Sequence, residues 1–258
     1  MNFQNKSSTF NISNGYLKDG TDNVYIFSNV GLATMHIPVS KYTYFADILV
    51  VGGGGGTGFA NCGGGGGGGV VYQRNIRLDS GITYNIYVGD GGNGENSSSS
   101  TTIYSASTGN DSYIQIGTTD LLINGITYRG YGGGIGGNGR NNGGNGGSGG
   151  GSTYGYNSGT SIQGNTYWNG TANIPGGKNG ESGYYSSING WSGGKGGGGF
   201  PCNITGINIT YAMGGQGIYP STTTSGTTPD IFGGGAGGGG STQTGGQKGK
   251  SGVVIFKF

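Results

Sequence analysis

Gly53, Gly55 and Gly58 follow an apolar run, Ile48–Val51, in the spacing G-x-G-x-x-G. In a dinucleotide-binding domain that spacing lets a tight turn and a helix N-terminus receive a pyrophosphate. The chemistry requires a helix after the glycines. Here Cys62 is followed by seven consecutive glycines, Gly63–Gly69, and at about 1 kcal/mol per glycine no helix survives there. Near the other end, Gly245–Ser251 (GGQKGKS) approaches a phosphate-binding loop, but Thr244 stands where its first glycine belongs and a strand follows. His36 is the only histidine, so a zinc site and a Ser-His-Asp relay both lack partners. Asp19 with Asp22, and Asp90 with Glu95, could touch calcium, but each pair supplies few of the ligands that ion takes. The residues imply no enzyme, no cofactor and no metal.

The other chemistry available is surface recognition. Tyr154, Tyr156, Tyr167, Trp168, Tyr184, Tyr185 and Trp191 are set among Asn, Ser and Gly in residues 152–192. Rigid rings give contact area at small entropy cost, which suits a sugar or a protein partner. Alternatively the rings lie flat over neighbouring glycines and shield their backbone. Cys62 and Cys202 both border glycine tracts and are either a disulfide or two inert thiols. Seven Asn-x-Ser/Thr sequons (Asn5, Asn11, Asn96, Asn110, Asn169, Asn203 and Asn208) are close to the number that chance gives at this composition.

Composition bounds the partners. Only 9% of residues are charged and the net charge is +2, which is not the basic footprint of a nucleic-acid binder. No apolar run reaches membrane-spanning length, and MNFQNKSSTFNISNGY lacks the apolar core of a secretory signal. The 69 glycines among 258 residues would by themselves suggest low complexity, but they come in blocks without a Gly-X-Y period and with little proline, unlike collagen. Strand-like text and polyglycine also abut with almost no linker, most clearly in Phe45–Gly92.

The elements that must position these residues read as strands. Val24–Phe27, Leu32–Val39, Tyr42–Val51, Val70–Leu78, Thr83–Val88, Tyr113–Ile116 and Leu121–Arg129 are β-branched or aromatic runs bounded by turn residues. Asn124-Gly125 is a hairpin turn. Val253–Phe258 closes the chain with Val254, Phe256 and Phe258 on one face. No sustained 3.6-residue apolar period occurs, so almost no helix is expected.

The glycines have a structural reading of their own. Ordering the backbone costs about 1–2 kcal/mol per residue, which one tract cannot recover. Its ordered form is the polyproline II helix, with three residues per turn, no internal hydrogen bonds and ~3.1 Å rise, so Gly63–Gly69 would span ~22 Å. Packed side by side, such helices can bond to one another, at a net gain of about 0.5–1.5 kcal/mol per bond. One tract is floppy and several form a stiff block. The flanking strands hold the tracts in register by entering a β-sandwich.

The runs Ile48–Gly56 (ILVVGGGGG), Gly63–Tyr72 (GGGGGGGVVY), Tyr84–Gly92 (YNIYVGDGG) and Gly252–Phe258 (GVVIFKF) resemble a glycine-rich, polyglycine II domain family. Similar text occurs in bacteriophage tail and virion surface proteins, giant-virus proteins and the extracellular region of anaplastic lymphoma kinase. The resemblance implies an all-β, jelly-roll-like β-sandwich with an inserted bundle of polyglycine II helices. Residues 1–23 would be an arm or an irregular first strand. Residues 24–258 would form one composite domain, with sandwich strands in 24–129 and 253–258 and the bundle within 52–69 and 130–250. It further implies a non-enzymatic structural protein of a virion surface or extracellular fibre. Its partners would be further copies of the chain or other particle proteins, with no nucleic acid and no membrane span. The alternative is an adhesin module binding a host receptor or glycan through residues 152–192, as phage adhesins of this type do with loops between glycine helices.

Overall fold

Alternation of apolar and polar residues makes a strand wherever one face can be buried. In a computed structural model, described for residues 10–18, 23–58, 62–95, 106–138, 141–163, 180–181, 184–186, 190–218, 226–239 and 245–258, the regular elements are all strands. The first are β1 (Asn11–Ser13), β2 (Tyr16–Leu17), β3 (Val24–Phe27), β4 (Gly31–His36), β5 (Tyr44–Val51), β6 (Val70–Leu78) and β7 (Thr83–Val88). Next come β8 (Ser112–Ile116), β9 (Thr119–Asp120), β10 (Leu122–Ile123), β11 (Ile126–Thr127) and β12 (Arg129–Gly130). The last are β13 (Tyr184–Ser186), β14 (Gly190–Ser192), β15 (Phe200–Cys202), β16 (Ile209–Tyr211) and β17 (Val253–Lys257).

Two antiparallel sheets form a sandwich. One has the order β1-β4-β7-β8-β12, with β9 also paired to β8; the other has the order β2-β3-β17-β5-β6. Between them Ala33, Met35, Tyr84, Ile86, Val88 and Ile114 meet Phe27, Ile48, Val50, Val71, Val254 and Phe256. The opposite parity of the second sheet is buried as well. Val24, Ile26, Leu49, Val51, Val70, Val253 and Ile255 pack under Cys202, Ile204 and Tyr211 of the β15–β16 hairpin. That double cover explains why β3, β5 and β17 read as continuous apolar runs rather than alternating ones.

The glycine tracts are continuations of the sandwich strands. Val51↔Val70 closes the β5–β6 ladder, and the next pair along is Gly52 N–H donating to Gly69. From there the pairing changes period. Gly52, Gly53 and Gly54 donate to Gly69, Asn110 and Lys250; Gly55, Gly56 and Thr57 repeat those three directions onto Gly66, Ser107 and Gln247, all at 2.8–3.1 Å. A partner that recurs every third residue is the signature of the polyproline II helix. The carbonyls point three further ways. Gly53 and Gly56 accept from Gly133 and Gly136, Gly54 and Thr57 from Gly92 and Glu95, and Gly55 from Ala236. Residues 52–57 are thus surrounded by six segments.

Residues 63–69 repeat the arrangement. They donate to residues 131–137, to Gly194 and Gly197, and to Gly233 and Ala236. They accept from Gly55 and Gly52, from Gly151 and Ser148, and from Gly215. Six tracts leave or enter sandwich strands directly: 52–57 after β5, 63–69 before β6, 89–95 after β7, 106–111 before β8, 131–137 after β12 and 245–252 before β17. The sandwich therefore sets the register of the bundle.

Several boundaries differ from the sequence expectation. Residues 89–95 and 106–111, expected within the sandwich region 24–129, belong to the bundle. They can carry Asp, Asn, Ser and Glu because an outer helix is enclosed on fewer sides. Residues 200–211, expected within the bundle, form a hairpin on the sandwich. Of the two alternatives for the N-terminal stretch, residues 10–17 take the strand form, as two edge strands, since β1 pairs with β4, β2 pairs with β3 and Phe10 enters the core.

Candidate functional site

Close approach is what makes the tracts glycine. A Cβ on Gly55 would sit 2.0 Å from the Gly134 carbonyl oxygen, on Gly68 2.0 Å from that of Gly52, and on Gly67 1.8 Å from that of Ala212. Carbonyls resting on Cα hydrogens add weak attraction to the N–H bonds. Where a helix is missing from the packing, a side chain fills in. The Gln163 amide donates to the Arg129 carbonyl at 3.0 Å and accepts from Tyr131 N–H at 2.8 Å, acting as a substitute peptide group beside Gly69.

Sandwich and bundle are joined at Arg129. Its guanidinium grips Asp120 with two bonds of 2.7 and 2.8 Å, donates to Asp111 at 2.9 Å and lies over the Tyr113 ring. Asp111 in turn accepts from Gly132 N–H, so the same ion cluster fixes the start of the tract that follows β12. The Arg129 hydrogen bonds hold the Asp120 carboxyl below the usual carboxylate range. A lowered folded-state pKa stabilises above the unfolded value, about 3.9, and that contribution is lost as pH falls through the folded value. The stability difference between wild type and Asp120→Asn should therefore be present at neutral pH and close below about pH 4, as read by urea unfolding across pH.

The end of the bundle away from the sandwich carries the exposed Tyr154–Gly155 turn. Thr57, buried there, donates to the Gly237 carbonyl and accepts from Gln247 N–H, each at 3.0 Å. Ser152 N–H donates to Glu181 and Gly194 N–H donates to Ser152. These bonds bring together the root of residues 152–156 and the stem that leads into the β13–β14 hairpin. Of the aromatic candidates, Tyr154 is 46% exposed on a turn closed by Tyr156 N–H to Thr153, with Gly155 at φ +83°. Tyr156 is half-buried. The hairpin pairs Tyr184 with Ser192 and Tyr185 with Trp191. Tyr167 and Trp168 lie outside the described residues. The structure thus roots Ser152–Tyr156 and Glu181 at that end of the bundle, whereas Gln163 lies at the sandwich end, beside Gly69 and Arg129.

The nominal nucleotide motifs are absorbed by the same architecture. Gly53 and Gly55 are interior bundle residues, and 245–251 runs as an outer tract into β17, with Lys248 on Asp90 at 2.6 Å and Lys250 on Asp230 at 2.8 Å. His36 bonds Thr83 on the outer face of β4. Asp19 and Asp22 lie outside the described residues, among which there is no group of three or more potential metal-ligating side chains. No helix of the described residues is long and apolar enough to cross a membrane.

Of the two alternatives for the cysteines, the structure has two separate thiols not joined in a disulfide, both buried. Cys62 sits in the bundle, where burial pushes its thiol up to about 12. Cys202 ends β15 and faces the second sheet, hydrogen-bonded to the Tyr72 hydroxyl, and burial raises it as well. Neither thiol should react with iodoacetamide in the native protein even at pH about 9, where a free cysteine is largely thiolate. Both should react fully in denaturant, as mass spectrometry would read.

A β-sandwich whose strands run on into a hexagonally bonded glycine bundle defines a composite all-β module. The chain belongs to the glycine-rich domain family, whose model matches residues 28–258. No curated protein matches the chain.

Proposed function

We propose that the chain is a non-enzymatic structural module of a virion surface or extracellular fibre, built into a larger particle with the glycine bundle as a stiff projection. The observation that carries this reading is the six-sided hydrogen bonding of residues 52–57 and 63–69, both rooted directly in sandwich strands. Such a block holds its far loops at a fixed distance from the sandwich. The opposite end of the sandwich supports attachment. Val39, Tyr42 and Phe45, close together in sequence around the start of β5, are 86%, 70% and 47% exposed, and exposed large apolar side chains favour protein contact.

The partner surface would be a further copy of the chain or another particle protein. Size-exclusion chromatography with light scattering, followed by negative-stain imaging, should give a closed oligomer of fixed mass or a filament. The triple variant Val39→Ser, Tyr42→Ser, Phe45→Ser should shift it towards monomer. A wild-type chain that stays monomeric at high concentration would count against this reading. It would favour the second, a receptor- or glycan-binding adhesin, which the exposure of Tyr154 at the far end of the bundle supports. That reading requires loss of binding in Tyr154→Ala, Trp168→Ala or Trp191→Ala.

A further inference from the structure

A groove of about 530 Å³ opens between β6 and the β15–β16 hairpin, lined by Tyr72, Arg74, Phe200, Pro201, Cys202, Asn203 and Asn208. That volume lies within the range of small-ligand pockets, roughly 300–1,000 Å³. It sits on the outer side of the second sheet, apart from the Tyr154 turn.

The lining has two kinds of surface. The Phe200 and Tyr72 rings, 6.0 Å apart and tilted by 59°, form an apolar wall that exposed Pro201 extends. Along the rim stand the exposed carboxamides of Asn203 and Asn208 and the guanidinium of Arg74, whose side chain is 59% exposed. Asp47 lies 3.5 Å from Arg74 and balances its charge. The Tyr72 hydroxyl is hydrogen-bonded to Cys202, which uses its donor within the protein.

A pyranose ring matches this arrangement. It has an apolar C–H face for the aromatic and proline wall, and hydroxyls around its edge for carboxamides that both donate and accept. A single guanidinium, already paired, does not supply the cluster of cations that polyanionic nucleic acid calls for. We propose that this groove binds a neutral saccharide. The inference is independent of the structural reading above and of the Tyr154 turn.

The test uses the full chain produced in a bacterial host, because Asn203 and Asn208 both head sequons and a eukaryotic host could glycosylate them. Binding would be screened on an array of neutral and acidic glycans, and hits titrated by calorimetry. A neutral glycan should bind. Asn203→Ala and Asn208→Ala, at exposed positions, should each weaken it about tenfold, the equivalent of one lost hydrogen bond of the stronger kind, with the thermal midpoint unchanged. Phe200→Ala should abolish binding, while Tyr154→Ala should leave it unchanged. The proposal is overturned if no neutral glycan binds, if only acidic glycans do, if the two Asn variants bind as wild type, or if Tyr154→Ala removes binding.

Discussion

Gly67→Ala is expected to destabilise the protein by about 3 kcal/mol, at the upper end of what overpacking usually costs. The added methyl would lie 1.8 Å from the Ala212 carbonyl oxygen and 2.5 Å from its carbon. Neither side can yield cheaply. Gly67 donates to Gly197 and accepts from Ser148, while Ala212 donates to Phe232 and its carbonyl accepts from Gly199. The obstacle is hydrogen-bonded backbone, not the end of a flexible side chain, so relief means moving several tracts together. Gly117→Ala is the comparison. Nothing lies within 4 Å of a Cβ there, and φ is +63°, so only the left-handed backbone strain of about 1 kcal/mol applies. Urea unfolding of both variants measures the difference.

Phe256→Ala should cost about 4 kcal/mol, the middle of the range for emptying a buried aromatic site. Phe256 is fully buried, meets Phe27 edge-on at 6.1 Å and stacks with Phe258 at 6.4 Å. Its strand β17 lies between β3 and β5 at the centre of the sheet. The segment entering β17 also donates from Lys250 to Gly234 and from Gly249 to Gly92. Damage in the sandwich should therefore reach the bundle through the chain itself. Thermal unfolding, followed separately by tyrosine near-ultraviolet dichroism and by light scattering of the expanding chain, should show one transition at a lower midpoint. Two transitions would mean that the bundle stands without its anchor.

Much of the architecture was legible because the apolar runs are unambiguous. Ile48–Val51, Val70–Tyr72 and Val253–Phe256 could only be buried strands, and Asn124-Gly125 could only be a tight hairpin, with φ of 53° and 77°. That glycine blocks joined to such strands must bond to one another followed from the need of each peptide group for a partner. What the text could not carry is which tract neighbours which. Gly53 and Gly54 are chemically identical, yet one donates to Asn110 and the other to Lys250; the difference lies in rotation about the helix axis. The polar letters in 89–95 and 106–111 disguised two outer helices. Gln163 gave no signal, since its role as a stand-in peptide exists only once the bundle has formed. Residues 200–211 read as part of the bundle because they lie between glycine tracts; only the structure shows them as a hairpin on the outer face of the second sheet, where Phe200 and Tyr72 meet.

The most direct test of the bundle is amide hydrogen exchange measured by NMR at Gly53–Gly56 and Gly63–Gly69. These amides carry no side chain to shield them, so protection can come only from hydrogen bonds to neighbouring tracts. They should exchange as slowly as Ile48, Val50 and Val254 in the sandwich core, through global unfolding alone. Exchange at the rate of an unstructured chain would mean that the tracts are loops, and the stiff projection would fall with them.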